Sequence, residues 1–586
     1  MEYLKELGYS HCFYVAGGNS MHLLESANKY FECIPVIHEV TAAISAEYFN
    51  AANRNTGKAF ALVTAGPGIT NAITGIAGAW LESRELLVVG GQVKSSNLNS
   101  GKTRQTGIQE INGKFLLESI CKSTITIKKP MTRSRINKHI SKTWEGRKGP
   151  VFIEICLDVS AQEIVPDQIM KSNSLSRNKN QVSLNRKLKL FSKELSRAQS
   201  PILLLGGGVN PRIVQELMDI FEFYNLPIAC TWTGAGNCGF DYKFFAGRPN
   251  NFGMRWANIF LKECDLLIAV GTSLGLQQTG FNTEEFLPKG KIFHIDIDQS
   301  ELNKLNPRKR FKIKMDSEEF LRRLGGILTN NKKHYSSWVS YLEHVKSLIP
   351  VVENVQDCDA PYLSPHRVLN TVSKLISFND NVVSCSSGGT FTAMLQCFEN
   401  LNGQKFLSNK GLASMGYGLA GAIGASFSQD EGFRTVLFEG DGGFAQNIQE
   451  LGTVVRNKLN IKMFITNNNG YSSIKMSQKN YFNGNYLGCD EETGLMFPNW
   501  EKLCGAYGLK YFFLDHSNFK SAEFQQLLES NEPVFFEIFS DPDFKYLPRI
   551  ESKILENGQM TSKPLHEMFP PLGEEVVNKL GFSFKN

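Results

Sequence analysis

No Cys-x-x-Cys pair occurs in this chain, and its twelve cysteines form no cluster with histidine at metal-ligand spacing. Cysteines scattered singly through a long chain fit free thiols in a reducing compartment better than a disulfide framework. No apolar run reaches the roughly 18–20 residues that span a bilayer. The N-terminal "MEYLKELGYSHCFYVAGG" reads as a short helix and then a strand, without the apolar stretch of a signal peptide. Strong charge of one sign is also missing: the net charge is +6, too weak to argue for nucleic acid or an anionic membrane surface. The densest basic run, "NPRKRFKIK" (306–314), has no aromatic-interleaved groove around it and reads as a solvated loop and sheet edge. These absences point to a soluble cytoplasmic protein with neither nucleic acid nor membrane as partner.

What is present is globular material, 42% hydrophobic and 20% charged over 586 residues. That length suggests three or four domains of about 100–200 residues each. Short β-rich runs alternate with helical stretches in three successive segments, the pattern of parallel α/β layers. The first holds "HCFYVAGG", "IPVIHE", "FALVTAGPG", "ELLVVGGQ", "STITIKK" and "PVFIEICLD"; the second "PILLLGGG", "LPIACTW", "DLLIAVG" and "KIFHIDID". The third holds "NVVSCSSGG", "RTVLFEGDGG", "IKMFITNNNG", "LKYFFL" and "PVFFEIF". The expectation is α/β, three doubly wound parallel-sheet domains at 1–165, 184–348 and 362–545. A polar linker, "MKSNSLSRNKNQVSLNRK" (170–187), and an acidic one, "VVENVQDCDAPYLSP" (351–365), separate them. A tail, 546–586, packs over an active site or a neighbouring subunit.

In doubly wound sheets ligands bind beyond the carboxyl ends of strands. One such end is "VLFEGDGGFAQN", in which Asp441 sits between Gly440 and Gly442. After Gly442 come 24 residues, then Asn467, Asn468 and Gly470 at the end of a second apolar run. The stretch between, "FAQNIQELGTVVRNKLN", reads as one crossover helix. This strand–helix–strand unit puts Asp441 and Asn468 at the ends of neighbouring strands. A carboxylate, an amide carbonyl and a backbone carbonyl are hard oxygen ligands suited to Mg²⁺ or Ca²⁺ shared with a phosphate. Gly442 and Gly443 let a diphosphate approach the free N–H groups of the following helix. Each motif alone is a common turn; together they are specific.

The pairing resembles the motif of the thiamine diphosphate enzymes, GDG followed some two dozen residues later by NN. The resemblance implies that Asp441, the Asn468 side chain and the Gly470 carbonyl hold Mg²⁺ against the cofactor diphosphate. It implies cofactor contacts at Gly17, Gly18, Gly440, Gly442, Gly443 and Tyr471, and at Gly389 and Thr390 of "SSGGTFTAM". In "GLASMGYGLAGAIGAS" it makes Met415 the wedge that bends the cofactor, where residue type alone suggests a core methionine. It makes Glu39 of "IPVIHEVTAAISAEYFNAAN" the acid facing the pyrimidine nitrogen, where a lone Glu is usually a helix N-terminal charge. A buried carboxyl suits proton exchange.

Within the family the text is most similar to the acetolactate synthase large-subunit branch, from about Leu7 to Leu572. "YVAGGNSMHLLESA", "LVTAGPGITNAITGIAGAWLES", "VGGQV", "HIDID" and "NIQEL" carry the likeness, and Gln109 of "IQEI" matches an active-site Gln. The three domains then become pyrimidine-binding, central and diphosphate-binding. The implied protein is a homodimer or homotetramer in which Glu39 of one subunit meets Asp441 of another. The implied reaction is decarboxylation of a 2-oxo acid such as pyruvate and transfer of the two-carbon unit to a carbonyl acceptor. FAD is implied at "LLGGGVN", "GRPNNFGMR" and "HIDID". Two positions depart from the branch. An Arg expected to bind the acceptor carboxylate and touch the flavin is Gln277, and a bulky Trp of the acceptor pocket is Ser477. Loss of a charge-assisted anchor and added room point to a larger acceptor, such as a keto-sugar nucleotide. The alternatives are a true acetolactate synthase of branched-chain amino-acid synthesis, a simple 2-oxo-acid decarboxylase, and a relative that has lost activity.

Overall fold

The computed structural model describes residues 1–53, 56–99, 101–162, 181–283, 285–304, 310–430, 432–554, 558 and 560–581. The linker reading up to Asn180 and the start of the basic run, 306–309, lie outside them. Three sheets account for the expected runs. The first contains β1 (Tyr9–Tyr14), β2 (Glu32–Pro35), β3 (Lys58–Val63), β4 (Leu86–Gln92), β5 (Ser123–Ile127) and β6 (Pro150–Cys156). The second contains β7 (Pro201–Leu205), β8 (Ile228–Cys230), β9 (Leu266–Val270), β10 (Lys291–Asp296) and β11 (Arg310–Lys314). The third contains β12 (Asn381–Ser384), β13 (Phe406–Leu407), β14 (Thr435–Gly440), β15 (Ile461–Asn467), β16 (Lys510–Leu514) and β17 (Val534–Phe539).

Central strands such as "PILLL" and "LLIAV" are buried at every position. That is what continuous apolar runs become in a parallel sheet covered on both faces. The order is β2-β1-β3-β4-β6-β5 in the first sheet and β13-β12-β14-β15-β17-β16 in the third. Counted along each segment, both read 2-1-3-4-6-5. The switch points, where the chain winds to opposite sides, therefore fall between β1 and β3 and between β12 and β14. The second sheet runs β11-β10-β9-β7-β8, so the described end of the basic run is an edge strand.

The first and third sheets lie in one compact unit; the second sheet, residues 389–406 and the segment from Ser540 lie in another. In the former, the Glu39–Ala52 helix packs on the Tyr417–Phe427 helix, and one core runs from Phe13 and Ile44 to Leu419 and Leu437. This helix packing lies within one chain and is a different contact from the one expected between subunits, Glu39 of one copy with Asp441 of another.

Two expectations need correction, the linker at Gln181 and the single crossover helix, and two other segments gain definite contacts. The helix Gln181–Arg197 begins inside the expected linker, because Leu184 and Leu188 sit at helical spacing and pack on the core. The acidic linker is fastened: Glu353 pairs with Arg255 at 3.0 Å, and the buried Gln356 donates to the Leu547 carbonyl. The crossover after β14 is three short helical pieces, Asp441–Phe444, Ala445–Glu450 and Leu451–Arg456, bent at Asn447 (φ −136°). The tail packs on its own unit: Arg255 donates to the carbonyls of Met568 and Pro570, and the Ser562 hydroxyl accepts from the Phe281 N–H. Among the described residues no helix is long and apolar enough to cross a membrane.

Candidate active site

β14 and β15 are parallel neighbours, with Gly440 opposite Thr466. Asp441 is the first residue of the helix that leaves β14, one turn earlier than the sequence suggests. Its Oδ1 accepts from the Gly442 N–H at 2.7 Å; its Oδ2 accepts from the N–H groups of Asn468 at 3.2 Å and Gly470 at 3.1 Å. Burial nevertheless pushes its carboxyl up to about 7, against the pull of those donors. Around it, Ser386 Oγ, Glu439 Oε2, Thr466 Oγ1 and Asn468 Oδ1 are buried without a hydrogen-bond partner. Buried polar atoms are nearly always satisfied, so orphans at the carboxyl ends of these interior strands, Asn468 Oδ1 beside Asp441 above all, mark a place for a polar ligand. Asn468 Oδ1 is the atom expected to reach a metal, and the donor set fits a hard divalent cation. No group of three or more His, Cys, Asp or Glu gathers among the described residues, and a site with a single carboxylate needs none.

Two glycines are required here by close approach. A Cβ on Gly442 would lie 2.3 Å from the Tyr471 ring, and one on Gly470 would lie 2.2 Å from the Cys489 carbonyl oxygen. Gly443 accepts from the N–H of Gly416, which adopts a left-handed φ of +77° just after Met415. Met415 is 37% exposed, so it is no core residue. Gln446 Nε2 lies 3.7 Å from its sulfur, and Asn447 Nδ2 donates to the Gly416 carbonyl at 2.5 Å. The bend at Asn447 therefore holds the Met415 turn.

At the switch point of the first sheet, a Cβ on Gly17 would collide with Thr64, and one on Gly66 with the Gln109 carbonyl. Asn19 donates to the Ile108 carbonyl. The loops after β1 and β3 thus meet the Gln109 loop, and a cavity of about 480 Å³ opens beside Tyr14, Gly17, Gly18, Met21 and Cys33. Gln109 is exposed and has a φ of +62°, an unusual conformation for a non-glycine residue that often marks a functional position. Glu39 begins the Glu39–Ala52 helix, is 8% exposed, and its Oε2 accepts from Asn71 Nδ2 at 2.9 Å. Among the described residues no hydrogen bond engages its Oε1, and sequence reasoning missed Asn71. It also missed the bond network two turns on. The fully buried Glu47 accepts from Arg84 (2.9 Å), Asn409 (3.3 Å) and the Tyr417 hydroxyl (2.5 Å). Burial pushes the Glu47 carboxyl up. Nothing in its sequence neighbourhood distinguishes Glu47; only the fold pairs it with Tyr417.

Ser477 is exposed on the Ser472–Tyr481 helix, and its hydroxyl donates to the Ser473 carbonyl of the same helix. The remaining candidates belong to the other unit. Thr390 is buried, and a Cβ on Gly389 would lie 1.9 Å from the Tyr546 ring, so that glycine is fixed by packing. Gln277 is exposed on the short Leu276–Thr279 helix, with its carbonyl accepting from the Asn251 N–H. In the stretches expected to hold flavin, a Cβ on Gly206 would lie 2.1 Å from the Gly271 carbonyl oxygen. His294 is buried between the Thr272 carbonyl and Arg310, and burial holds its imidazole at about 4. Asn250 Nδ2 and Asn251 Oδ1 are buried without partners. The glycine run and the histidine are thus explained by the fold, whereas the two asparagines have polar atoms left for a ligand.

Three family descriptions match along the chain. "Thiamine pyrophosphate enzyme, N-terminal TPP binding domain" matches residues 1–115, "Thiamine pyrophosphate enzyme, central domain" residues 189–324, and "Thiamine pyrophosphate enzyme, C-terminal TPP binding domain" residues 387–538. Among curated proteins, the chain is 28% identical over 553 residues to the acetolactate synthase large subunit of Porphyra purpurea, covering 90% of this chain and 89% of that one. It is 27% identical over 587 residues to the acetolactate synthase large subunit of Lactococcus lactis, covering 99% and 97%. To the probable acetolactate synthase large subunit of Methanocaldococcus jannaschii it is 29% identical over 521 residues, covering 86% and 85%.

Proposed function

The chain belongs to the thiamine pyrophosphate enzyme family, and from that premise we propose that it decarboxylates a 2-oxo acid, pyruvate in the first instance, and transfers the two-carbon unit to a larger carbonyl acceptor such as a keto-sugar nucleotide. That it is a thiamine pyrophosphate-dependent enzyme of the acetolactate synthase type rests on the family matches and relatives above. Bound thiamine diphosphate supplies the electron sink for losing CO₂ and for forming the new C–C bond. The chain's own residues bind and orient it. Asp441, Asn468 Oδ1 and the Gly470 carbonyl hold Mg²⁺, and the N–H groups beside Gly442 and Gly443 face the diphosphate. Met415 would pack against the bound cofactor. Glu39, with Oε2 held by Asn71, is left with Oε1 to exchange a proton with the pyrimidine nitrogen. Gln109 presents its amide to the reacting carbonyl. The observation that supports this reading most is the orphaned Asn468 Oδ1 beside the buried Asp441.

The larger acceptor is supported by Gln277 and Ser477, which offer neither a cation nor a bulky ring. The second reading, an acetolactate synthase, is favoured by the names of the relatives. Assembly as a homodimer or homotetramer is supported by exposed apolar side chains in the first unit, among them Ile108 (85%), Phe115 (75%), Leu487 (76%) and Met496 (76%). FAD is supported by Asn250 and Asn251, and the absorbance of the purified protein tests it. For the reaction, the enzyme is given labelled pyruvate with and without a keto-sugar nucleotide. The expected product is the sugar enlarged by two carbons. Acetolactate from pyruvate alone at about 1–10³ per second overturns the reading in favour of the second.

A further inference from the structure

We propose that Glu450 is a positioning residue for Glu39, and that the Ala445–Glu450 segment sets the geometry of Glu39 and Met415 together. The inference rests on the reading of Glu39 as the pyrimidine-facing acid. Glu450 is fully buried. Its Oε1 accepts from the N–H groups of Ile37 at 3.1 Å and His38 at 3.0 Å, the two residues that lead into Glu39. Its Oε2 accepts from the Thr453 hydroxyl at 2.7 Å, which fixes the carboxylate's orientation. His38 in turn caps the helix, accepting from the Val40 N–H through Nδ1. An anion that gathers two N–H groups at the start of a helix complements the dipole there, and leaves the turn little freedom. Three and four residues earlier, Asn447 and Gln446 hold the Met415 turn. One short segment thus grips at one end a residue that bends a cofactor and at the other a residue that activates one, in neighbouring active sites where Glu39 faces the Asp441 of another subunit. Its bend at Asn447 is what lets both ends face their targets.

The test uses E450A, E450D and E450Q beside E39Q, in the full-length protein. In the cofactor-free E450A protein, backbone amide exchange of residues 36–42 accelerates about tenfold or more. With thiamine diphosphate and Mg²⁺ saturating, hydrogen exchange at the cofactor C2 slows at least about tenfold, kcat falls in step, and KM for pyruvate stays within about threefold. E450Q, whose amide oxygen still accepts from both N–H groups, recovers most of the rate. E450D, one methylene too short, falls between, and carries the test if E450A does not fold. Unchanged amide exchange in E450A, or C2 exchange in E450D and E450A equal to that of the unsubstituted protein, overturns the inference. If E39Q exchanges C2 normally, the reading of Glu39 itself fails; if E39Q abolishes exchange while E450A does not alter it, only the role of Glu450 fails.

Discussion

Asp441→Asn separates ligand binding from folding. In the cofactor-free protein the amide oxygen can replace Oδ2 and keep the bonds from Asn468 and Gly470, while the amide nitrogen then faces the Gly442 N–H. One charge-assisted bond is lost, about 1.5–3 kcal/mol. Against that, a carboxylate 2% exposed is replaced by a neutral group, relieving a desolvation penalty of several kcal/mol. The two nearly cancel, so urea unfolding of the cofactor-free variant should shift by no more than about 1–2 kcal/mol in either direction. Binding behaves differently. The variant lacks the only carboxylate of the proposed metal set, and a loss of about 3–4 kcal/mol lowers Mg²⁺-dependent cofactor affinity some 10²–10³-fold. Isothermal titration of thiamine diphosphate at fixed Mg²⁺ measures it. A change below about threefold would show that Asp441 does not carry the metal. A collapse of the cofactor-free fold would show that its role is structural.

Glu47→Gln leaves the half-buried Arg84 without its counter-ion, and this change and Tyr417→Phe should each destabilise the protein by about 1–3 kcal/mol, as read by denaturant midpoints. Gly424→Ala places a Cβ 2.1 Å from the Ser45 carbonyl oxygen, where the Tyr417–Phe427 helix crosses the Glu39–Ala52 helix. It should destabilise by about 1–3 kcal/mol, visible as a lower Tm; no change would mean the two helices separate freely. His366 is buried, donates through Nε2 to Gln396 at 2.7 Å, and burial holds its imidazole at about 4. Because that lies below the ordinary value, the unfolded chain takes up the proton first. The stability contribution is complete above about pH 6.5 and is lost as pH falls through 4, by up to about 3 kcal/mol. His366→Leu should flatten the dependence of the urea midpoint between those values, and an unaltered slope would refute the assignment.

The sheets were legible because parallel strands buried on both faces leave unmistakable apolar runs, and glycine marks where they end. Asp441 and Asn468 were legible because the chemistry depends on a spacing along the chain. Glu47, Asn71 and Glu450 were not, because what distinguishes them is a partner hundreds of residues away or on another loop. The linker at Gln181 was misread because polar residues on a helix's solvent face hid Leu184, Leu188 and Phe191 beneath. The bend at Asn447 was missed for a related reason: its composition is compatible with a helix, and only the carbonyl of Gly416 pulls the segment out of line. The strand order shared by the first and third sheets has no trace in residue type and had to be seen.

The unit built from those two sheets is assembled from stretches far apart in the chain, with the second sheet's residues made in between. During synthesis the Glu39–Ala52 helix emerges early, but the helix that covers it, Tyr417–Phe427, follows some 365 residues later. At about 5–20 residues per second that interval is about 20–70 s. Through it the nascent chain carries Ala42, Ala43, Ala46, Tyr48 and Phe49 uncovered or only locally sheltered, residues that end with almost no exposure. The vulnerable moment for this protein is therefore on the ribosome. A holding chaperone acting during that interval should raise the yield of folded enzyme more than any substitution that stabilises the finished fold.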